Sequence, residues 1–257
     1  MGRIIAISNQ KGGVGKTTTA VNLSASIAVA GKRCLLIDCD PQGNATTGLG
    51  RDKSELKSGL YGFMLGSEPE EETIIETDMP GLSLMAATKD LVGAEVEIYN
   101  EDGREYLLKN RLVSLKERFD YIFLDCPPSL GFLTVNAITT ADFVLVPLQC
   151  EYYALEGLSQ LLKTLKAAKK SLNPSLKLIG IILTMYDSRN NLSSQVAEEV
   201  RRHFKGTVFN TVIPRNVRLS EAPSFGKPII LYDMKSKGAL SYIELAEELI
   251  KRGVDND

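Results

Sequence analysis

The stretch ISNQKGGVGKTTTA, residues 7–20, decides the fold because it places a glycine-rich loop between an apolar run and a helix-forming segment. The apolar run RIIAIS, residues 3–8, predicts a buried strand, and residues 16–30 predict a helix. Glycines lack a Cβ, so their backbone N–H groups can turn inward around an anion, and the positive end of the following helix adds to the attraction. Strand, loop and helix in this order predict a phosphate-binding loop.

The loop departs from the common spelling G-x-x-x-x-G-K-[ST], which has a glycine five residues before the second glycine of the pattern. Here that second glycine is Gly15, Gln10 occupies the earlier position, and Lys11 follows it. We expect Lys16 to reach the β- and γ-phosphates of a nucleotide and Thr17 to ligate Mg²⁺. The common pattern does not explain why a second lysine stands at the start of the loop.

Aspartates end two further apolar runs. In LLIDCDPQGNATTG, Asp38 and Asp40 come at the end of a predicted strand, and Pro41 favours its termination there. A carboxylate at this edge can hold a metal-bound water or orient an attacking water. In FDYIFLDCPPSLG, Asp125 has the layout of the strand-end aspartate that supports Mg²⁺ in phosphate-loop enzymes. Together the three motifs predict a nucleoside triphosphatase, and the lack of an N-K-x-D motif favours adenine over guanine.

Short apolar runs alternate with amphipathic segments along the 257 residues. Strands are predicted at 3–8, 33–40, 82–88, 121–127, 143–149 and 176–184, and helices at 16–30, 153–171, 192–204 and 239–251. Runs rich in Ile, Val and Leu are typical of strands that are covered on both faces. The sequence therefore predicts an α/β fold with a doubly wound, mostly parallel sheet, in one domain spanning 1–257. The acidic run EPEEETIIETD, residues 68–78, is predicted to be a solvated surface stretch.

Composition restricts the possible classes of function. The net charge is −2, so any nucleic-acid contact must depend on a local patch, and residues 186–237 provide one with nine Lys/Arg against five acids. The four cysteines have no C-x-x-C spacing, which favours buried, reduced thiols in a cytosolic protein. We expect no transmembrane helix and no signal peptide, because no apolar run approaches ~18 residues.

KGGVGKTTT matches the deviant phosphate-loop (Walker A) signature of the ParA/MinD group of ATPases. The stretches DCDPQGNATTGLG, DCPPSLG, PLQCEYYALEGLSQL and PRNVRLSEAPSFGKPI extend the likeness, so that the chain resembles chromosomal ParA (Soj) proteins from end to end. The resemblance implies an ATP-dependent homodimer in which Lys11 reaches the other subunit's phosphates. A second cation there would stabilise the transferred phosphoryl group, as an arginine finger does.

The resemblance also assigns residues to ATP and Mg²⁺. It implies that Asp40 positions the attacking water, and that Asp38 and Asp125, with Thr17, support Mg²⁺. Lys11, Lys16 and Asp40 form the predicted catalytic set. The predicted ATP contacts are Lys11, Gly12, Gly13, Val14, Gly15, Lys16, Thr17, Thr18, Met185, Pro214 and Asn216, the last three around adenine.

Partners are implied in the same way. ParA proteins bind duplex DNA without sequence preference, and the residues that the resemblance indicates here are Arg189, Arg218, Lys227, Lys235 and Lys237. It further implies slow hydrolysis stimulated by a ParB-type protein, a role in chromosome or plasmid partitioning with a link to a replication initiator, and a cytoplasmic, nucleoid-associated location. Because Asp40 is present, we expect hydrolysis rather than nucleotide binding alone.

The sequence disfavours two other classes of ATPase. A MinD-like membrane-associated ATPase would use a basic amphipathic C-terminal helix, but here the acids Glu244, Glu247 and Glu248 flank the apolar face, so that face is expected to pack on the domain. An iron–sulfur ATPase would need thiolate ligands from both subunits, and neither Cys126 nor Cys150 has the flanking sequence of that class.

Overall fold

The fold is described from a computed structural model of the chain, which covers residues 1–98 and 102–252, with only the backbone at position 95. The strands of these residues are β1 Arg3–Ile7, β2 Cys34–Asp38, β3 Ile74–Glu76, β4 Leu82–Met85, β5 Tyr121–Asp125, β6 Phe143–Gln149, β7 Lys177–Tyr186 and β8 Val208–Pro214. The helices are α1 Lys16–Val29, α2 Asn44–Gly48, α3 Leu60–Leu65, α4 Glu70–Thr73, α5 Ala94–Glu97, α6 Leu107–Leu112, α7 Leu115–Arg118, α8 Phe132–Thr140, α9 Ala154–Ser171, α10 Asn191–His203, α11 Val217–Glu221, α12 Ile229–Tyr232 and α13 Lys237–Lys251.

Within the described residues, all eight strands form one sheet in the order β3-β4-β2-β5-β1-β6-β7-β8. Every neighbouring pair is parallel except β3 and β4. Successive side chains of a strand point to opposite faces. Accordingly Ile4 and Ala6 of β1 pack in one buried cluster with α8 and α9, whereas Ile5 and Ile7 pack in a second cluster with α1 and α13. The predicted doubly wound α/β fold is confirmed.

The six predicted strands are all present, and two more were not predicted. The acidic run 68–78 lies at the surface as predicted, with Thr73 its only buried residue, but it also contains α4 and the edge strand β3, which were not predicted. β8 escaped prediction because its sequence VFNTVIP interrupts the apolar pattern with Asn210 and Thr211. Both missed strands lie at the edges of the sheet, so each pairs with a neighbouring strand on one side only.

The C-terminal helix α13 packs its apolar face on the domain, as the sequence predicted. Leu245, Ala246 and Leu249 are buried in the cluster that also contains Leu23 and Ile27 of α1. The end of the sequence, residues 253–257, lies outside the described residues. No helix in the described part of the chain has the length and apolarity needed to cross a membrane.

The four cysteines are free and buried, which confirms the prediction of reduced, buried thiols. Burial raises the pKa of the Cys150 thiol to about 11 and raises those of the other three further. Such thiols are poor nucleophiles at neutral pH, so the cysteines belong to the core.

Candidate nucleotide-binding site

The phosphate-binding loop lies at the carboxyl edge of the sheet, between β1 and α1. In the parallel register Ile7 of β1 and Asp38 of β2 both lie opposite Asp125 of β5, so the three predicted motifs meet at one edge. Gly13 and Gly15 have φ angles of 72° and 86°, a left-handed conformation that residues with a Cβ rarely adopt. Glycine at these two positions is therefore required by the loop's own backbone.

Two buried polar side chains fix the loop to the rest of the sheet. Asn9 donates its side-chain amide to the carbonyl of Pro147 in β6 at 2.7 Å and accepts the backbone N–H of Lys11 at 3.0 Å. The hydroxyl of Thr184 in β7 donates to the carbonyl of Val14 at 2.8 Å. Neither residue was predicted as part of the site, although Asn9 lies beside the signature and Thr184 ends a predicted strand.

Lys16 sits at the start of α1 with its ammonium directed into the loop. Its Nζ donates to the carbonyl of Lys11 at 3.0 Å, so in this conformation it spans the loop that would hold the phosphates. Burial lowers the pKa of Lys16, and the nearby charges of Asp125 and Asp40 partly oppose that shift. A phosphate group would give this cation a charged acceptor in place of a neutral carbonyl.

Asp38 holds the segment that carries Asp40. One of its carboxylate oxygens accepts the backbone N–H and the hydroxyl of Thr46, both at 2.7 Å, and the other accepts the N–H of Asp40 at 3.2 Å. Thr46 Oγ1 in turn accepts the N–H of Ala87. Both Asp38 oxygens are thus occupied by hydrogen bonds, which makes the residue better suited to anchor the loop than to contact a metal ion directly.

Asp125 differs from Asp38 because neither of its buried carboxylate oxygens has a hydrogen-bond partner in the described structure. Burial and the charge of Asp38 raise the pKa of Asp125, whereas the hydroxyl of Thr17 and the ammonium of Lys16 act in the opposite direction. Buried polar groups without partners are rare and call for an explanation. An unpaired carboxylate near a threonine hydroxyl fits Mg²⁺, which takes one or two protein oxygens and completes its shell with water and phosphate.

The predicted catalytic aspartate faces a cavity. Asp40 follows the end of β2, is 9% exposed, and accepts the N–H of Gln42 at 2.9 Å. It lines a cavity of about 740 Å³ together with Lys16 and Thr17. Also lining this cavity are Gly12, Gly13, Gly15, Thr18, Gln42, Asn44, Pro127 and Met185. The arrangement brings a phosphate loop, a buried cation and the carboxylate of Asp40 to one space large enough for a triphosphate.

A second cavity, of about 510 Å³, begins at Gly15 and Thr18 and contains the predicted adenine residues. Met185, Pro214 and Asn216 all line it. Met185 has a φ angle of 49° and lines both cavities, so it lies where they meet. The larger cavity is thus lined by most of the predicted phosphate contacts, and the smaller one by the predicted adenine contacts.

Comparison with known proteins identifies this combination. Residues 2–178 match the model of a family described as an AAA domain. Chromosome partitioning protein ParA of Myxococcus xanthus is 59% identical over 98% of this chain and 89% of its own. Sporulation initiation inhibitor protein Soj of Bacillus subtilis is 54% identical over 98% of this chain and all of its own. The chain belongs to the ParA/Soj family of chromosome-partitioning ATPases.

A crystal structure of a Mycobacterium smegmatis protein named cobyrinic acid a,c-diamide synthase, with a bound ATP analogue and magnesium, has a similar fold. It is 40% identical, covers 98% of this chain and 95% of its own, and superposes with a TM-score of 0.86. Its name indicates a different activity, but the ParA and Soj relatives are more similar to this chain in sequence and match it over the same length.

The basic residues predicted to contact DNA have different environments in this ParA/Soj chain. Arg189 is 87% exposed in its side chain and forms a bidentate pair with Asp187, which holds the pKa of that carboxyl at about 2. Arg218 pairs with Glu221 at 2.9 Å and with Asp233 at 3.5 Å. The other predicted contacts, Lys227, Lys235 and Lys237, are exposed, and Lys227 also lines the larger cavity.

Proposed function

We propose that the chain, taken as one ATPase domain over 1–257, is an Mg-ATP-dependent ATPase that dimerises and binds DNA without sequence preference. With a ParB-type partner it drives chromosome or plasmid partitioning on the nucleoid, in the cytoplasm, with a link to a replication initiator. The observation that carries the proposal is that Lys16 and Asp40 line one cavity at the phosphate loop, with the unpartnered carboxylate of Asp125 buried close to Lys16.

The residues of the site have different roles in the proposed hydrolysis. The loop from Gly12 to Thr18 binds the phosphates through backbone N–H groups, with Lys16 neutralising their charge. Thr17 and Asp125 would hold Mg²⁺, with Asp38 acting through the loop or through water, and the ion would neutralise charge on the β- and γ-phosphates. Asp40 accepts a proton or hydrogen bond from the attacking water and so orients it. Met185, Pro214 and Asn216 bind the base.

The proposed site is completed by a second cation, and Lys11 of the opposite subunit supplies it. In a face-to-face dimer each Lys11 would reach the phosphates of the opposite subunit, so that an isolated subunit hydrolyses ATP slowly. Slow hydrolysis suits a switch in which nucleotide state controls assembly, and a ParB-type partner would accelerate it. Dimerisation also brings together two copies of the basic segment 186–237.

DNA binding is assigned to Arg189, Arg218, Lys227, Lys235 and Lys237. Both arginines pair with acids in the free subunit, so contact with the DNA phosphates must compete with those ion pairs. A doubled basic surface gives affinity for duplex DNA that falls steeply with salt. The MinD-like alternative, membrane association through the C-terminal helix, is disfavoured because α13 buries its apolar face against α1.

The deciding experiment measures binding to a random-sequence duplex with ATP, with ADP and without nucleotide, over a salt series. Tight binding with ATP alone, weakening steeply with salt, is the expected result. Equal affinity in all three states would overturn the nucleotide switch. Absence of binding in every state, together with ATP-dependent binding to anionic lipid vesicles, would instead support the MinD-like alternative.

A further inference from the structure

The side chain of Lys11 is held by its own subunit. Its Nζ lies 2.7 Å from Oε2 of Glu151, and both side chains are about half exposed, at 43% and 47%. The two residues are 140 positions apart in the chain. The proposed function directs the ammonium of Lys11 to the phosphates of a second subunit. Here that ammonium is instead paired with a carboxylate of its own subunit.

Glu151 is placed there by the end of the neighbouring strand. β6 pairs directly with β1, so the turn after β6 lies beside the phosphate loop. The backbone N–H of Glu151 donates to the carbonyl of Gln149, and its own carbonyl accepts the N–H of Ala154, each at 2.9 Å. The side-chain amide of Gln149 also donates to the second oxygen of the Glu151 carboxylate. Both the backbone and the side chain of Glu151 are therefore fixed toward Lys11.

The backbone of Lys11 is fixed as well, and one of its contacts depends on the phosphate site. Asn9 accepts its N–H while donating to Pro147 of the same strand β6. The carbonyl of Lys11 accepts the ammonium of Lys16 at 3.0 Å. A phosphate in the loop would draw the Lys16 ammonium to itself, since charged acceptors form the stronger hydrogen bonds. Filling the loop therefore releases one of the contacts that hold residue 11.

We propose that Glu151 is a positioning residue for Lys11. It keeps the ammonium on its own subunit while the loop is empty and yields it when a nucleotide phosphate takes Lys16 from the Lys11 carbonyl. The inference rests on the proposed action of Lys11 on a second subunit. Glu151 then determines when Lys11 is available to a second subunit, so that a nucleotide-free subunit does not present this lysine.

The expected effect is small, because half-exposed ion pairs contribute little. Such pairs change an equilibrium by about two- to fivefold. The test must therefore read the state of Lys11 itself, and it must use a control of the same charge. Glu156, an exposed glutamate in the first turn of α9, provides that control.

The first measurement is the rate at which an N-hydroxysuccinimide ester acylates Lys11 in the nucleotide-free protein, followed by peptide mass spectrometry. We expect Glu151→Gln to change that rate by about two- to fivefold at low salt, upward because the amine is freed. Glu151→Asp should remain closer to wild type, and Glu156→Gln should equal it. ADP, which fills the loop, should raise the wild-type rate toward that of Glu151→Gln. Equal Lys11 rates in wild type and Glu151→Gln would overturn the inference.

The second measurement is the ATP concentration that gives half-maximal dimerisation, followed by light scattering on the full chain. Glu151→Gln should lower it by about two- to fivefold, with Glu156→Gln unchanged. An unchanged or raised concentration for Glu151→Gln would overturn the inference. If the wild-type protein forms no dimer with ATP, the proposed function fails, and the acylation rates still decide whether Glu151 holds Lys11.

Discussion

Asp38 and Asp125 lie opposite each other on the neighbouring parallel strands β2 and β5, yet only Asp38 has hydrogen-bond partners for its carboxylate. Burial raises the pKa of both; the charge of Asp38 further raises the pKa of Asp125, and the charge of Asp40 raises the pKa of both. Two carboxylates so close in a buried place destabilise the nucleotide-free protein. The arrangement is reasonable where function requires one oxygen ligand to remain free.

The first prediction separates these two aspartates. Asp125→Asn should raise the free energy of unfolding of the nucleotide-free protein by about 1–3 kcal/mol, because it removes a buried charge without a hydrogen-bond partner. The same variant should lose the additional stability that Mg²⁺ confers in the presence of ATP. Urea unfolding with and without Mg-ATP measures both effects.

Asp38→Asn is the matched control for that experiment. It should lower the free energy of unfolding by about 1–3 kcal/mol, because the amide keeps one acceptor oxygen where the N–H and hydroxyl of Thr46 and the N–H of Asp40 now share two. If Asp125→Asn destabilises the nucleotide-free protein as Asp38→Asn does, Asp125 is a structural residue and the metal site is assigned wrongly.

The second prediction concerns the carboxylate at the cavity. Asp40→Ala should keep ATP binding but lose hydrolysis by at least about a hundredfold, since the attacking water is no longer oriented. The variant should then remain as an ATP-bound dimer on DNA. Phosphate release and DNA retention measure the two effects, and Lys16→Ala, which should lose nucleotide binding or hydrolysis, serves as the contrast. Normal turnover by Asp40→Ala would give Asp40 another role.

The third prediction tests the contact between β7 and the phosphate loop. Thr184→Val keeps the shape of the side chain but removes the hydrogen bond to the Val14 carbonyl, at a buried position that is 2% exposed. The affinity for ATP should fall about two- to tenfold, as the loss of one hydrogen bond predicts. Titration with a fluorescent nucleotide measures this change.

Thr139→Val provides the control, because the buried hydroxyl of Thr139 has no hydrogen-bond partner in the described structure. Its removal should leave ATP affinity unchanged and should not destabilise the fold. A Thr184→Val variant with wild-type affinity would show that the loop holds its shape without β7.

Much of the fold and site was accessible from the sequence because the determining signals are local. Apolar runs predicted the central strands, and each candidate site residue at the carboxyl edge follows such a run. The missed features depend on contacts between distant segments. Ile74 and Ile75 form a strand only because β4 pairs with them, and nothing near Lys11 indicates Glu151. Likewise, no local pattern shows that Lys227 lines the larger cavity.

The fourth prediction tests the basic segment. Arg189→Ala and Arg218→Ala should each weaken ATP-dependent binding to random-sequence duplex and lower the salt slope by about one. Arg33→Ala is the matched control, since Arg33 is also an exposed arginine paired with an acid, Asp120. It lies immediately before β2, at the amino ends of the parallel strands, whereas Arg189 and Arg218 follow the carboxyl ends of β7 and β8. A slope that Arg33→Ala lowers as much as the other two would argue against a local DNA surface.

The fifth prediction concerns the hydrogen bonds between Glu248 of α13 and the backbone of the edge strand β8. Its carboxylate accepts the backbone N–H groups of Asn210 at 2.8 Å and Thr211 at 2.9 Å, and it pairs with Arg252 at 2.8 Å. Burial acts to raise the pKa of Glu248, but these hydrogen bonds prevail and lower it. A lowered pKa in the folded state means that the carboxylate stabilises the protein above its unfolded pKa of about 4.3 and loses that effect as pH falls through the folded value.

Glu248→Gln should therefore cost about 1–3 kcal/mol of unfolding free energy at pH 7, and the difference from wild type should shrink below pH ~4. Urea unfolding at a series of pH values measures it. Glu247→Gln, at the exposed neighbour that pairs with Lys251, should change stability by less than about 0.5 kcal/mol at every pH. A Glu248→Gln difference that stays constant down to pH ~3.5 would mean that the carboxylate charge is not what holds α13 against β8.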